Sequence, residues 1–313
     1  MYVVRSISGK FSERLNDGQI HGVHVYGTTK LRNEIYVLCR CHAPVSHMIY
    51  VFEDRNPFRL RKKIEINQIK SPEDIVSSEK ENCLYVSDSA KRYVWKVTRE
   101  IHSQISILLG IDHMPGTTEH YYRPLTTDYY PPTLSVSSNN QLLVFSQSSP
   151  FLMMYNLDGK LTRRIELPRY MEHPLHAVET SKGNIFIVHR WIKNKEENVS
   201  NWKEWVLSEL GRDGQIIRHF IPSNTTQWLT NPCYLALDSD DRLFVADKGN
   251  GRVVLLDSDL EWNRIICPTK RETEGKCAKI REPWRLCYDK KEKQLIVGGD
   301  FCLGEAVNVY TIN

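Results

Sequence analysis

Five side chains able to bind a metal or move a proton, His21, Asp74, His176, Tyr234 and Arg285, stand at matching points of a segment that repeats along the chain. Two imidazoles and a carboxylate form a ligand set for a divalent cation, so His21, Asp74 and His176 are the residues that would hold one. Neither histidine lies in a motif with ligand spacing, and Leu134 takes the matching place in another repeat. We therefore expect a hydrated polar opening there, with no metal and no cofactor. Cys39-Arg-Cys41-His42 with His47 also gathers thiols and imidazoles, but not at the spacing of a zinc finger or knuckle, and packed thiols are expected instead. The chain has no G-x-S-x-G, P-loop, H-E-x-x-H, or G-x-G-x-x-G after a strand. No catalytic residue is assigned, and enzymatic activity is not expected.

The elements that position these residues come from an internal repeat. Six segments share a run of apolar residues, with Val or Ile third, that ends in a small or polar slot. They are Ile35–Cys39, Leu84–Asp88, Leu142–Ser146, Ile185–His189, Leu243–Asp247 and Leu295–Gly299. Upstream of five of them stands a proline that opens an alternating strand: Pro72, Pro132, Pro174, Pro232 and Pro283. Ile20-His-Gly-Val23 takes that place in the first unit. Two further alternating runs follow each slot, as in Arg252–Leu256 and Trp262–Ile266, and Asp158-Gly159 marks a hairpin turn in the third unit.

Each unit thus reads as a four-stranded antiparallel blade. The fold expected is all-β, a six-bladed β-propeller. The last unit lacks one strand, and Tyr2–Ile7 at the other end of the chain can supply it, closing the ring and removing two free edges. We expect one domain over residues 1–313, with blades over about 17–67, 68–110, 130–168, 172–223, 230–268, and 280–313 plus 2–8.

Leu243-Phe-Val-Ala-Asp-Lys-Gly-Asn-Gly-Arg-Val253, preceded by Asn231-Pro232, resembles an NHL repeat, and Leu84–Val94 resembles it less closely. The resemblance implies an NHL-like propeller, similar to those of tripartite-motif proteins, and a structural pair between Asp247 and Arg252. In the second unit Arg92 comes one position early for pairing with Asp88. The slots Cys39, Ser146, His189 and Gly299 have no acid.

Connection lengths then point to one face. Turns joining strands one to two and three to four are short. Those joining strands two to three, and blade to blade, hold the insertions 111–130, 190–203 and 268–281. Long connections in compact domains are commonly functional, and Tyr, Trp and Arg anchor interfaces. The candidate contact residues are Tyr121, Tyr122, Tyr129, Tyr130, Trp191, Trp202, Lys270, Arg271, Lys276, Lys279, Arg281, Trp284 and Arg285. The channel mouth, lined by His21, Asp74, His176, Tyr234 and Arg285, opens on the same face.

The leading reading is a non-enzymatic binding or scaffold module for a protein or peptide. Single-stranded RNA is the alternative on the same face, since some tripartite-motif propellers bind it and basic residues here neighbour aromatic ones. Glu272, Glu274 and Glu282 are interleaved, however, and a net charge of +4 over 313 residues gives little support to phosphate-led binding. A metal-dependent hydrolase or lyase at the channel mouth, as in the amidating lyases and lactonases, ranks third. DNA and membrane partners are not expected: no apolar run nears the roughly 18 residues of a membrane span. The first residues lack the apolar core of a signal peptide. We expect a cytoplasmic, monomeric, standalone propeller with reduced cysteines.

Overall fold

The computed structural model describes residues 4–7, 13–14, 20–21, 23–42, 45–55, 58–99, 104–110, 133–145, 149–191, 204–267, 280–301 and 304–312. They form six blades of four antiparallel strands arranged in a ring, with almost no helix. Strand β1 (Val4–Ile7) belongs to the last blade, and β2 (Glu13–Arg14) pairs with β3 (Ile20–His21) in a separate two-stranded ribbon. Blade one is β4 (Val23–Leu31), β5 (Glu34–His42), β6 (Val45–Glu53) and β7 (Arg59–Glu65). Blade two is β8 (Pro72–Ser78), β9 (Cys83–Asp88), β10 (Tyr93–Thr98) and β11 (Ile105–Gly110). Blade three is β12 (Thr133–Val136), β13 (Gln141–Phe145), β14 (Phe151–Asn156) and β15 (Leu161–Glu166). Blade four is β16 (Met171–Glu179), β17 (Ile185–Trp191), β18 (Glu204–Leu210) and β19 (Ile216–His219). Blade five is β20 (Pro232–Leu237), β21 (Leu243–Asp247), β22 (Arg252–Leu256) and β23 (Trp262–Ile265). Blade six is β24 (Ile280–Asp289), β25 (Gln294–Phe301) and β26 (Gly304–Thr311), completed by β1 in the register Val4↔Tyr310 to Ile7↔Val307.

The expected closure by the N-terminal strand is therefore present. A buried lysine reinforces the ring next to it. Lys30 of blade one places its ammonium 2.5 Å from Asp54 and 2.5 Å from Asp289 of blade six, with Gln294 at 3.0 Å. Burial works against the Lys30 charge, and the two carboxylates outweigh it.

Why the repeat was visible follows from packing. Each blade is covered on both faces by its neighbours, so its second strand is buried throughout, as in β9 and β21. Such strands read as continuous apolar runs rather than alternating ones. The cores lie between blades: Leu31, Leu38, Ile49 and Val51 of blade one meet Ile75, Val86 and Trp95 of blade two. Each such side chain contributes about 1.5–3 kcal/mol on burial. The outermost strands β7 and β15 alternate instead, and carry Arg59, Arg61, Lys62, Lys63, Arg163 and Arg164. Charge on an edge strand blocks pairing with other chains.

The slot acids tie the incoming chain to the end of the second strand. Asp247 is fully buried; it accepts from the Thr230 amide at 2.8 Å, from Asn250 at 2.7 Å, and pairs with Arg252 at 2.8 Å. Arg252 also donates to the carbonyls of Thr226 and Trp228. Gly249 lies against this connector: a Cβ there would sit 1.7 Å from the Thr230 carbonyl oxygen. Asp88 plays the same part with different donors, the amides of Lys70, Ser71, Ala90 and Lys91 and the Trp95 indole.

Candidate channel-mouth site

The first strands of the blades line the channel, and a recurrent bulge decides which side chain turns into it. In blades two, five and six the ladder shifts between Pro72 and Asp74, Pro232 and Tyr234, and Pro283 and Arg285. Proline has no N–H to give the ladder, so a bulge at that point loses nothing. In blade four the shift spans Glu172 to His176. Asp74, His176, Tyr234 and Arg285 thus pair with Ser87, Val188, Ala246 and Gly298, each one residue before its slot.

Two of the expected positions move. In blade one the residue in this register is Gly27, opposite Leu38, because the bulge falls between Val25 and Gly27. His21 instead belongs to the β2–β3 ribbon, and its side chain is outside those described. In blade three Thr133 pairs with Phe145 and takes the position, while Leu134 turns into the core between blades two and three. Counting back from the slot, rather than forward from the proline, would have found both. Gly27 approaches Ile75 so closely that a Cβ would come within 2.6 Å of its side chain.

The four polar residues bind one another across the opening. Asp74 is fully buried and accepts from the Ile75 amide at 2.9 Å, the Leu134 amide at 2.9 Å and the Tyr234 hydroxyl at 3.1 Å. Arg285 places Nε 3.3 Å from Asp74 and donates to the Glu73 and Trp284 carbonyls. His176 stacks on Tyr234 at 3.6 Å between ring centres, and Arg285 lies 5.1 Å from the other ring's centre. The Leu235 amide donates to His176 Nδ1 at 3.3 Å, so Nε2 carries the proton and donates to the Leu134 carbonyl at 3.1 Å.

Burial governs the charges. It lowers the His176 pKa to about 3, so the ring is neutral, and it raises that of Asp74 against the pull of Arg285. It also raises the Tyr234 hydroxyl well above its ordinary value and the Glu73 carboxyl above its own. These residues do not fit a divalent cation as arranged. Both His176 nitrogens are engaged with backbone groups, and three donors and a guanidinium already occupy the Asp74 carboxylate. Among the described residues no three His, Cys, Asp or Glu side chains are grouped as metal ligands.

The rest of the face is partly described. Tyr121, Tyr122, Tyr129, Tyr130, Trp202, Lys270, Arg271, Lys276 and Lys279 lie outside the described residues, as do the side chains of Trp191 and Arg281. Trp284 is half-buried, with the Lys248 ammonium 4.3 Å from its ring centre. Sequence reasoning missed Trp228, which is 48% exposed on the connector held by Asp247, Asn250 and Arg252. A tryptophan directly after the polar stretch Ser223–Gln227 was the available signal.

No protein-family model matches the chain, and no curated protein matches it. Solved structures do. A Bacteroides thetaiotaomicron protein of unknown function is similar with a TM-score of 0.66 at 12% identity, over 100% of this chain and 76% of that one. Virginiamycin B lyase from Staphylococcus aureus gives 0.56 at 12% identity, over 100% of both chains. A gluconolactonase from Xanthomonas campestris gives 0.55 at 12%, over 99% of this chain and 95% of that one. At such identity these likenesses establish the propeller fold and nothing finer.

Proposed function

We propose that the protein is a non-enzymatic binding module that recognises a protein or peptide on the face bearing the channel mouth. One observation carries this reading: the mouth residues equipped for chemistry are spent on one another, with Asp74 and His176 saturated by protein donors and acceptors. The same face offers contact groups on ordered backbone. The Trp228 carbonyl is fixed by Arg252 and Asn250, so its exposed ring can anchor a partner at little entropic cost. The three long connections leave from this face too, and their Tyr, Trp, Lys and Arg residues are the proposed remainder of the contact surface. The blade-five clamp of Asp247 and Arg252 supports an NHL-like platform. A cytoplasmic location goes with this reading, and Cys83, Cys233 and Cys287 are free thiols.

Single-stranded RNA is the second reading, favoured by the Lys248 cation over the Trp284 ring. The test is affinity capture followed by mass spectrometry with the wild type, Trp228→Ala, and a variant with Lys270, Arg271, Lys276, Lys279 and Arg281 changed to Ser. Binding of labelled oligouridine is measured in parallel. Discrete proteins lost from both variants, with no RNA binding, are the expected result. Oligouridine binding that both variants abolish would transfer the function to RNA, and identical capture by all three proteins would overturn both readings.

A further inference from the structure

The outermost strand of blade two is unlike those of the other blades. Arg5 in β1, Arg61 in β7, Arg163 in β15, Arg218 in β19 and Arg264 in β23 put a cation on every other outer strand. β11, Ile105-Ser-Ile-Leu-Leu-Gly110, carries neither charge nor proline. Charge and proline are the usual guards of a sheet edge. β11 ends its sheet, which runs in the order β11-β10-β9-β8, and the Ile107 side chain on it is 53% exposed.

The ladder shows which backbone groups face outward. The Thr98 amide donates to the Gln104 carbonyl at 2.9 Å, and β10 pairs Val97 with Ile105, Lys96 with Ser106 and Trp95 with Ile107. Bonding alternates along an antiparallel pair, so Gln104 and Ser106 bond to β10. The amides and carbonyls of Ile105 and Ile107 point away from it. The ladder then skips Leu108, and the blade-three turn closes on that residue: a Cβ on Gly159 would sit 2.7 Å from the Leu108 carbonyl oxygen. The outward edge short of this turn is Ile105–Ile107.

Such an edge suits a strand of its own sequence. With two copies antiparallel and Ser106 opposite its own counterpart, Ile105 faces the copy's Ile107 and Ile107 faces the copy's Ile105. Each of those pairs exchanges both of its N–H···O bonds. Ile105 packs on the core between blades one and two, and Ile107, two positions on, lies on the same face. The pairing therefore gathers the isoleucines of both copies into one cross-strand cluster, and opposed apolar side chains stabilise a ladder. Lys96, beside Ser106 in the ladder, is bound to Glu81 at 3.3 Å. Self-pairing of any other outer strand would bring its cations against their own copies, and like charges across a ladder destabilise it. The ring has a single uncharged outer strand, so a two-fold pair uses both copies of it and stops at two chains.

We propose that the protein forms a two-fold dimer by antiparallel pairing of β11 with β11 of a second copy, in place of the monomer expected from its sequence. The contact lies on the outer rim of the ring, at the end of the blade away from the channel, and does not depend on the binding reading.

A contact of one short strand is small and dissociates on dilution. Sedimentation equilibrium of the full chain should therefore find a monomer at low concentration and a species of twice the chain mass at high concentration. Ile107→Lys should weaken the dimer at least about tenfold. Its unfolding midpoint in urea, measured on dilute protein, should match that of the wild type, since the side chain it replaces is more than half exposed. Ile217→Lys is the same change at the 50% exposed Ile217 of β19, and it should leave the dimer intact. Oxidation reads the register. Ser106→Cys sets two thiols opposite each other and should give a covalent dimer, whereas Ile107→Cys, which faces the copy's Ile105, should not. A wild type that is monomeric at every concentration would overturn the pairing, as would a mass that keeps growing past two chains. Equal weakening by Ile107→Lys and Ile217→Lys, or equal crosslinking of the two cysteine variants, would overturn it too.

Discussion

The Tyr234 hydroxyl donates to the Asp74 carboxylate at 3.1 Å from blade five to blade two, directly across the six-bladed ring. Arg285 reaches the same carboxylate from blade six, past blade one, where Gly27 presents no side chain. With the Leu134 amide of blade three, one buried acid therefore links four blades that share no strand pairing. A propeller's blades touch mainly their neighbours, so links of this kind add cohesion that neighbour packing does not supply.

Asp74→Ala is expected to cost about 3–5 kcal/mol in urea unfolding, because it strands the half-buried Arg285 charge and leaves two buried amides unpaired. Tyr234→Phe removes one donor and should cost less, about 1–3 kcal/mol. The two changes meet at one carboxylate, so their sum should exceed the cost of the double variant. Strict additivity would mean that the cross-channel bond contributes nothing.

The acid limb of stability should carry the mark of His176. The unfolded ring takes a proton near its ordinary 6.5, and the folded ring only near about 3. Between those values the unfolded chain binds a proton the fold does not. The contribution is thus complete above 6.5 and falls as the pH drops towards 3, by about 5 kcal/mol at most. Asp74 works the other way, since burial raises its folded pKa and acid relieves a charge the fold pays for. His176→Gln keeps a donor for Leu134 and an acceptor for Leu235 without titrating. Its unfolding free energy should be flatter across that window than the wild type's.

The fold was legible because neighbouring blades bury both faces of each second strand, which leaves runs such as Leu243-Phe-Val-Ala-Asp247 repeated at one spacing. The site was only half legible. Asp74, His176, Tyr234 and Arg285 follow their prolines at a constant offset, but Gly27 depends on where its ladder slips and Thr133 on a ladder that runs unshifted, which no residue type announces. Which polar groups remain available cannot be read from a list of types either. The amides that saturate Asp74 and His176 belong to backbone, and backbone has no signature in sequence.

Metal uptake offers a direct check on the site. After incubation with excess zinc or manganese and dialysis, elemental analysis should find bound metal well below one per chain. His176→Ala should not change the result, because its two nitrogens are held by Leu134 and Leu235 in the wild type. A stoichiometric metal lost in that variant would require the mouth to rearrange, and would bring a metal-dependent activity to the front.

The blade-five clamp should fail from either side of the connector. Arg252→Met leaves the fully buried Asp247 carboxylate without its cation and frees the Thr226 and Trp228 carbonyls, at about 3 kcal/mol. Gly249→Ala drives a methyl group into the Thr230 carbonyl, so the connector or the turn must move. Both variants should speed hydrogen exchange over residues 223–231 while leaving blades one to three unchanged. If Trp228 binds only because its backbone is held, both should also weaken capture of the partner without touching the indole itself. Capture at wild-type strength with a mobile connector would mean that the ring, and not its fixed placement, is what the partner reads.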